Sequence, residues 1–301
     1  MNAIALMGQT GTGKSDLAMR IAEKFNTSIV CCDSMQVYQK LDIGTAKASL
    51  EEQSRVPHTM LDCCALPDSF SAARWAAHAA TIIREENRAG RTPLIVGGTG
   101  LYLKALTEGF PDIPPEQAGV REKFQSIGKT HGTAALHRIL QEKDVEMAAR
   151  LKPGDTQRIM RALCVFESTG KPLSAWQSQD LTNKPDIRCP VFVMDVPRDV
   201  LRQGIARRFQ GMLDAGWVDE VQWLDSLHLP DTHPAMRAVG YRQLLAHVRG
   251  ECPLSEAMGA GITATQRYAK RQRTWFAHQT PDTTWGNTDQ LAPRIIEALN
   301  A

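Results

Sequence analysis

The chain has 301 residues, 43% hydrophobic and 23% charged, with 35 Lys and Arg against 33 Asp and Glu for a net charge of +2. This is the composition of a folded protein with a core large enough to need neither disulfides nor metal, and it excludes a collagen-like, disordered or coiled-coil chain. A charge so near zero counts against a protein that coats nucleic acid by bulk electrostatics. Asn2 to Met7 reads as a buried strand ending in glycine. Lys14 to Phe25 reads as a helix, with apolar positions at Leu17, Ala18, Ile21, Ala22 and Phe25. Ser28 to Cys32 is a second strand, ending in Asp33, and Phe70 to Ala89 a helix opened by Ser71. Thr92 to Val96 is a third strand, ending in Gly97-Gly98. Such alternation predicts a parallel sheet covered by helices. From Pro111, Pro114 and Pro115 to about Asn183 the periodicity is helical, and Cys189 to Val196 restores a strand. The expected organisation is an α/β core, 1–111 with 183–301, interrupted by an all-helical insertion, 112–182.

The seven cysteines include the adjacent pairs Cys31-Cys32 and Cys63-Cys64 and no C-x-x-C, with Cys164, Cys189 and Cys252 scattered. Neither a disulfide framework nor a zinc site is expected, and a reduced cytoplasmic protein is the natural reading. Met1 to Gly8 has no basic n-region or long h-region, so a signal peptide is not expected. No run approaches the roughly eighteen apolar residues of a transmembrane helix, and no membrane partner is expected.

Gly8-Gln9-Thr10-Gly11-Thr12-Gly13-Lys14-Ser15 fits G-x-x-x-x-G-K-[ST] and lies between a strand and a helix, the context that a phosphate loop requires. Its glycines let consecutive amides turn toward phosphate oxygens, and the helix N-terminus adds a positive end. Lys14 supplies a point charge and the Ser15 hydroxyl a ligand for Mg²⁺. The expected fold is therefore a P-loop NTPase-like parallel sheet flanked by helices. A hydrolase of this class needs a magnesium-binding aspartate at the end of an apolar strand. Leu94 to Val96 ends instead in Gly97-Gly98-Thr99-Gly100. Asp195, after Val191 to Met194, is a metal candidate, although a strand-end aspartate is more often a turn or cap residue. Asp33 stands at a strand end where α/β sheets bind ligands. By position alone it is a general base, a structural cap or a metal ligand.

Several further segments resemble the tRNA dimethylallyltransferase (tRNA isopentenyltransferase) family, bacterial type. They are Asp33-Ser34-Met35-Gln36-Val37-Tyr38 with Leu41 to Lys47, Gly97 to Tyr102, Asp155 to Leu163 with Thr169 to Ser174, Val239-Gly240-Tyr241, and Lys270 to Phe276. They occur in the family's order and span most of the chain. Three positions depart from the pattern: Gln9 replaces a frequent proline, Ser15 a common threonine, and Thr59 the second of two histidines at His58.

The resemblance implies transfer of a dimethylallyl group from dimethylallyl diphosphate to N6 of adenosine 37, beside the tRNA anticodon. The loop, Gly8 to Ser15, would then hold the leaving diphosphate with Mg²⁺ at Ser15. Lys14 and Arg208, with Arg207 as its close competitor, would stabilise the developing charge. Asp33 would be the base for the N6 amine, with Thr99 beside it. Ser34, Met35 and Gln36 would line the adenine side, the Gln36 amide pairing with a base edge. Without the resemblance, Gln36 reads as a surface glutamine.

Gln157, Arg158 and Arg161 share a helical segment, the two arginines at i, i+3. By themselves they read as a solvated basic face; the resemblance makes them contacts to the anticodon stem-loop. Arg121 is a further candidate by the same resemblance. Arg237, Gly240, Tyr241 and Arg242 form a second patch, and Arg267, Lys270, Arg271 and Arg273 a third. Tyr268, Trp275 and Phe276 would stack bases or belong to the core. The near-neutral total is then an average over arginines gathered in a few segments. A monomer is expected. The competing readings are a P-loop kinase of small molecules or nucleosides, an adenylate isopentenyltransferase acting on free nucleotides, and a nucleotide-switched RNA-binding module.

Overall fold

The computed structural model describes residues 1–111, 113–179 and 185–301. In chain order, β1 (Ile4–Gly8) leads through the glycine loop into α1 (Lys14–Phe25) and β2 (Ile29–Cys32). Then come α2 (Leu50–Arg55), β3 (His58–Thr59), α3 (Ala72–Arg88), β4 (Leu94–Gly97) and α4 (Gly100–Glu108). The middle of the chain holds α5 (Val120–Lys143), α6 (Val145–Arg150), α7 (Thr156–Thr169) and α8 (Leu173–Gln177). It is followed by β5 (Val191–Met194), α9 (Arg198–Asp214), α10 (Trp217–Ser226) and α11 (Tyr241–Val248). The last elements are α12 (Leu254–Gln279), β6 (Thr283–Gly286) and α13 (Thr288–Asn300). No helix among the described residues is long and apolar enough to cross a membrane.

The chain divides into two compact units, Met1–Glu108 with Pro185–Ala301, and Gly109–Lys184. The limits expected from sequence at 112 and 182–183 lie outside the described residues. Among its described residues the second unit contains helices and no strand. Phe124, Leu136, Leu140, Ile159 and Leu163 form its own core.

In the first unit all six strands are parallel, in the order β3-β2-β4-β1-β5-β6. Every residue of β1, β2, β4 and β5 is buried. A parallel sheet reaches that state only when helices cover both faces, which the βαβ connections provide. The edge strands β3 and β6 escape the sequence reading. They are short and only partly buried, so they carry no hydrophobic run. β4 begins later than expected, at Leu94, because Pro93 lacks the N–H for a ladder bond. The helix expected from Ser71 is α3, with the Ser71 hydroxyl accepting the Arg74 amide at 3.1 Å.

Trp75 of α3 is fully buried, stacks on Tyr102 at 5.0 Å between ring centroids, and donates its indole N–H to the Cys31 carbonyl at 3.0 Å. It pins the helix to β2 just before Asp33. Trp75→Phe removes that hydrogen bond and leaves a cavity. It should lower stability by about 2 kcal/mol, read as a reduced denaturant midpoint with an unchanged slope.

Candidate active site

The register of the central strands sets the site. Cys32 pairs with Gly97, and Gly97 with Met7. The residues that follow β2, β4 and β1 therefore leave the sheet at one level: Asp33, Gly98-Thr99 and the glycine loop. With strands about 4.8 Å apart, Asp33 and the loop stand about 10 Å apart along the sheet edge. A cavity of about 410 Å³ opens there, lined only by residues of the first unit.

Gly11 and Gly13 both take φ of +83°, and Gly13 caps α1. Their left-handed backbone lets the loop wrap before the helix begins. The first amides of α1 point out of its N-terminus for want of intrahelical acceptors. Part of the expected phosphate-binding set serves the loop itself. Gly8 is the last residue of β1, paired with Met194. The buried Gln9 amide donates to the Ala269 carbonyl at 3.0 Å, and the Thr12 hydroxyl to the Gln9 carbonyl at 2.9 Å. The Thr10 amide donates to Gln272 Oε1 at 2.9 Å. These groups build the cradle.

Lys14 Nζ donates to the Gln9 carbonyl at 3.1 Å. Burial first, then the Arg208 guanidinium, pull its pKa down from 10.5 to about 8, against the opposing pull of Asp33. Arg208, on α9, is likewise lowered by burial, with Asp33 and Asp16 acting the other way. Its side chain keeps open surface toward the cavity, so its desolvation is that of a pocket wall, not of the core. Arg208 lines the cavity and Arg207 does not.

Asp33 lines the same cavity as Lys14 and Arg208. Its Oδ1 accepts the amides of Met35 at 2.8 Å and Gln36 at 3.4 Å, so it is a turn cap as well as a residue of the cavity wall. Thr99 ties the strand tips together instead of lining the cavity: its hydroxyl accepts the Ser34 amide at 3.0 Å, and its amide donates to the Cys32 carbonyl at 3.1 Å. Tyr268 of α12 closes this side. Burial, then Asp33, push its hydroxyl pKa up, against the smaller opposing pulls of Arg271 and then Thr99. Ser34 and Met35 reach the cavity. Met19, Val96, Phe209, Met212 and Trp217 give it an apolar wall.

Some candidates have other duties. The Gln36 amide donates to the carbonyls of Thr45 and Ala46, both at 3.1 Å, so its N–H groups are not free for a base edge. Gly240 and Tyr241 are buried, Tyr241 also lines the cavity, and the Tyr241 hydroxyl donates to Glu220. Asp195 pairs with Arg273 at 3.0 Å. Phe276 is core, and Trp275 packs against Gly100. Arg237 and Arg271 do line the cavity, whereas Arg242, Arg267 and Lys270 are exposed. In the second unit, Gln157, Arg158 and Arg161 are exposed on α7 while Ile159, Met160 and Leu163 are buried. Arg158 lies 3.6 Å from Asp155, and Arg121 pairs with Glu116 at 2.7 Å.

Two residues have roles that sequence reasoning misses. Gln272 is buried, accepts from Thr10 and donates to the Gly98 carbonyl at 3.0 Å, joining loop to strand tip. Glu220 holds the segment from Asp42 to Gly44. No local pattern marks either.

The Ser15 hydroxyl at the loop is an oxygen donor that suits a hard cation, and Mg²⁺ commonly completes its octahedron with phosphate and water. Among the described residues no group of three or more His, Cys, Asp or Glu is arranged for a metal ion. An ion there would take most of its ligands from a bound diphosphate.

A cation-lined loop that faces a carboxylate beside an apolar wall suits an enzyme moving a hydrocarbon group off a diphosphate, and so places the chain among phosphate-loop transferases. The model of the IPP transferase family matches residues 36–279, and the chain belongs to that family. It is 45% identical over 273 residues to a tRNA dimethylallyltransferase of Rhodospirillum centenum, covering 90% of this chain and 87% of the relative. It is 42% identical over 300 residues to one of Azorhizobium caulinodans, covering 99% and 96%. Among solved structures, it resembles the full-length tRNA isopentenylpyrophosphate transferase of Bacillus halodurans, with a TM-score of 0.71, 31% identity and coverage of 99% and 97%. A eukaryotic dimethylallyltransferase acting on tRNA matches with a TM-score of 0.76, 25% identity and coverage of 95% and 74%.

Proposed function

We propose that the enzyme transfers a dimethylallyl group from dimethylallyl diphosphate to N6 of adenosine 37 in tRNA, giving N6-(dimethylallyl)adenosine and diphosphate. The observation that carries this reading is the meeting of Lys14, Arg208 and Asp33 in one cavity with an apolar wall. A phosphate loop alone suits many reactions; the apolar wall beside it suits a donor that is part hydrocarbon.

The C–O bond to the diphosphate breaks as the N6–C bond forms, and the electron pair leaves with the diphosphate. Lys14, the amides at the start of α1 and Arg208 stabilise that charge. The adenine amine is a weak nucleophile because its lone pair is delocalised into the ring. Asp33 orients it and accepts its proton as the new bond forms. Ser15 would hold Mg²⁺, which would supply further neutralisation of the diphosphate. A stacked base cannot reach this depth, so adenosine 37 leaves its stack.

The unit 109–184, taken as the insertion domain, offers Arg121, Gln157, Arg158 and Arg161 for phosphates of the anticodon stem-loop. Arg237 and Arg271 serve the RNA near the cavity. The enzyme works as a cytoplasmic monomer on this reading.

The test is a competition. Labelled dimethylallyl diphosphate is supplied with unmodified tRNA whose anticodon is followed by adenosines, together with AMP and ATP. Label is expected in the tRNA. Label in AMP with none in tRNA would overturn the reading.

A further inference from the structure

Glu220, near the start of α10, brings four donors to one carboxylate. Its Oε2 accepts the amides of Asp42 at 2.7 Å and Ile43 at 2.8 Å. Its Oε1 accepts the Gly44 amide at 3.0 Å and the Tyr241 hydroxyl at 2.5 Å. Three successive amides turned toward one anion form a nest, here filled by the chain's own side chain. Gly44 is essential to the fit, since a Cβ would overlap the rings of Trp217 and Tyr241.

The segment held in this way leads to the proposed base. Thr45 and Ala46, the next residues, give the carbonyls that accept from the Gln36 side chain. The Gln36 backbone amide in turn donates to Asp33 Oδ1. Lys47 secures the far end of the segment: its side chain is only 4% exposed, and its ammonium reaches Asp42 and Asp62 at 2.6 Å and the Tyr38 carbonyl at 2.9 Å. Contacts therefore run without a break from α10 and α11 to Asp33, along the wall formed by Gly44, Thr45 and Ala46.

We propose that Glu220 is a positioning residue for the transfer: by filling the nest at Asp42 to Gly44 it holds the segment through Ala46, and through Gln36 the Asp33 carboxylate, in the orientation that receives the acceptor amine. The proposal rests on the role given to Asp33 above. It gives the buried Tyr241 hydroxyl a role in holding the Glu220 carboxylate. A carboxylate is required because both oxygens face N–H donors. Glutamine can satisfy only one side; its NH2 group can donate to the Tyr241 oxygen but must then face the Gly44 N–H.

The experiment compares wild type with Glu220→Gln, Glu220→Ala and Tyr241→Phe. For Glu220→Ala, kcat on tRNA is expected to fall about 10²-fold, the scale of a misplaced reacting group. The affinity for inorganic diphosphate, measured by calorimetry, should stay within about twofold, since the phosphate loop is untouched. Glu220→Gln should lie between Glu220→Ala and wild type, and Tyr241→Phe between Glu220→Gln and wild type. Hydrogen exchange at residues 42–46 should quicken in Glu220→Ala. Acetate replaces the group that this substitution removes, so adding it should both slow that exchange and raise kcat. Unchanged kcat, equal losses of kcat and diphosphate affinity, or no response to acetate in either readout overturns the proposal. If the wild type transfers nothing to tRNA, the functional reading falls by itself, and exchange at 42–46 with and without acetate still decides whether Glu220 holds the segment.

Discussion

Asp33→Asn should lower the rate of transfer to tRNA by about 10²–10⁴-fold, the usual contribution of a positioned base, while binding of dimethylallyl diphosphate changes by no more than a few-fold. Asparagine is the informative replacement because Asp33 has two duties. Its Oδ1 caps the turn by accepting the Met35 and Gln36 amides. The amide oxygen of asparagine can keep both bonds, so the turn survives and only the charge and basicity are lost. Asp33→Ala removes the cap as well and should be no more active. Single-turnover transfer measures the first quantity and calorimetry with the diphosphate the second. Near-normal turnover in Asp33→Asn would leave Asp33 as a cap alone. Loss of donor affinity matching the loss of rate would instead place it on the diphosphate.

The second large effect belongs to Lys14. Lys14→Met should weaken donor binding and turnover together, by about 2–4 kcal/mol if it acts as a typical electrostatic stabiliser. Its pKa of about 8 in the free enzyme also sets a pH dependence. The ammonium is present below about pH 8, so diphosphate affinity should fall as the pH rises through that value. Lys14→Arg keeps its charge throughout this range and should lack that decline, whatever affinity it retains. The same shift bears on stability. Because the folded-state value lies below the ordinary 10.5, the unfolded chain binds the extra proton between pH 8 and 10.5. Folding therefore gains stability as the pH rises through that window, and the gain is lost as the pH falls through about 8. At pH 7 the charged, confined lysine thus costs the free enzyme stability. Lys14→Met should raise its melting temperature there, by the equivalent of about 1–2 kcal/mol after allowance for its open side toward the cavity. Added diphosphate should stabilise the wild type more than the variant. A lower melting temperature for Lys14→Met at pH 7 would contradict this account.

The central strands, α1, α3 and the glycine loop were legible because their signals are local. Loop wrapping needs glycine at specific backbone positions, a helix start such as Ser71 needs a side-chain acceptor, and buried parallel strands need short apolar runs. β3 and β6 were not legible. Each is a partly buried edge strand held chiefly by ladder bonds to a neighbour, and those bonds leave no mark on its own side-chain pattern. The choice between Arg207 and Arg208 was also out of reach, since adjacent helical residues point about 100° apart and only the packing of α9 shows which one meets the cavity.

The polar residues divide in the same way. Gln36, Tyr241, Gln272 and Glu220 all read as ordinary polar positions, yet each is committed by a partner the fold supplies. Gln272 accepts from an amide 262 positions away, and Glu220 from amides 176 to 178 positions away. The near-neutral charge is a case of both. The sequence by itself determined the total of +2, the clustering of the arginines, the phosphate loop and the strand–helix alternation, because each follows from residue type and near-neighbour spacing. Only the tertiary structure decided that Arg273 pairs with Asp195 while Arg208, Arg237 and Arg271 face the cavity. Which charges face the cavity is set by packing between elements far apart in the chain, and residue type and near-neighbour spacing do not encode it.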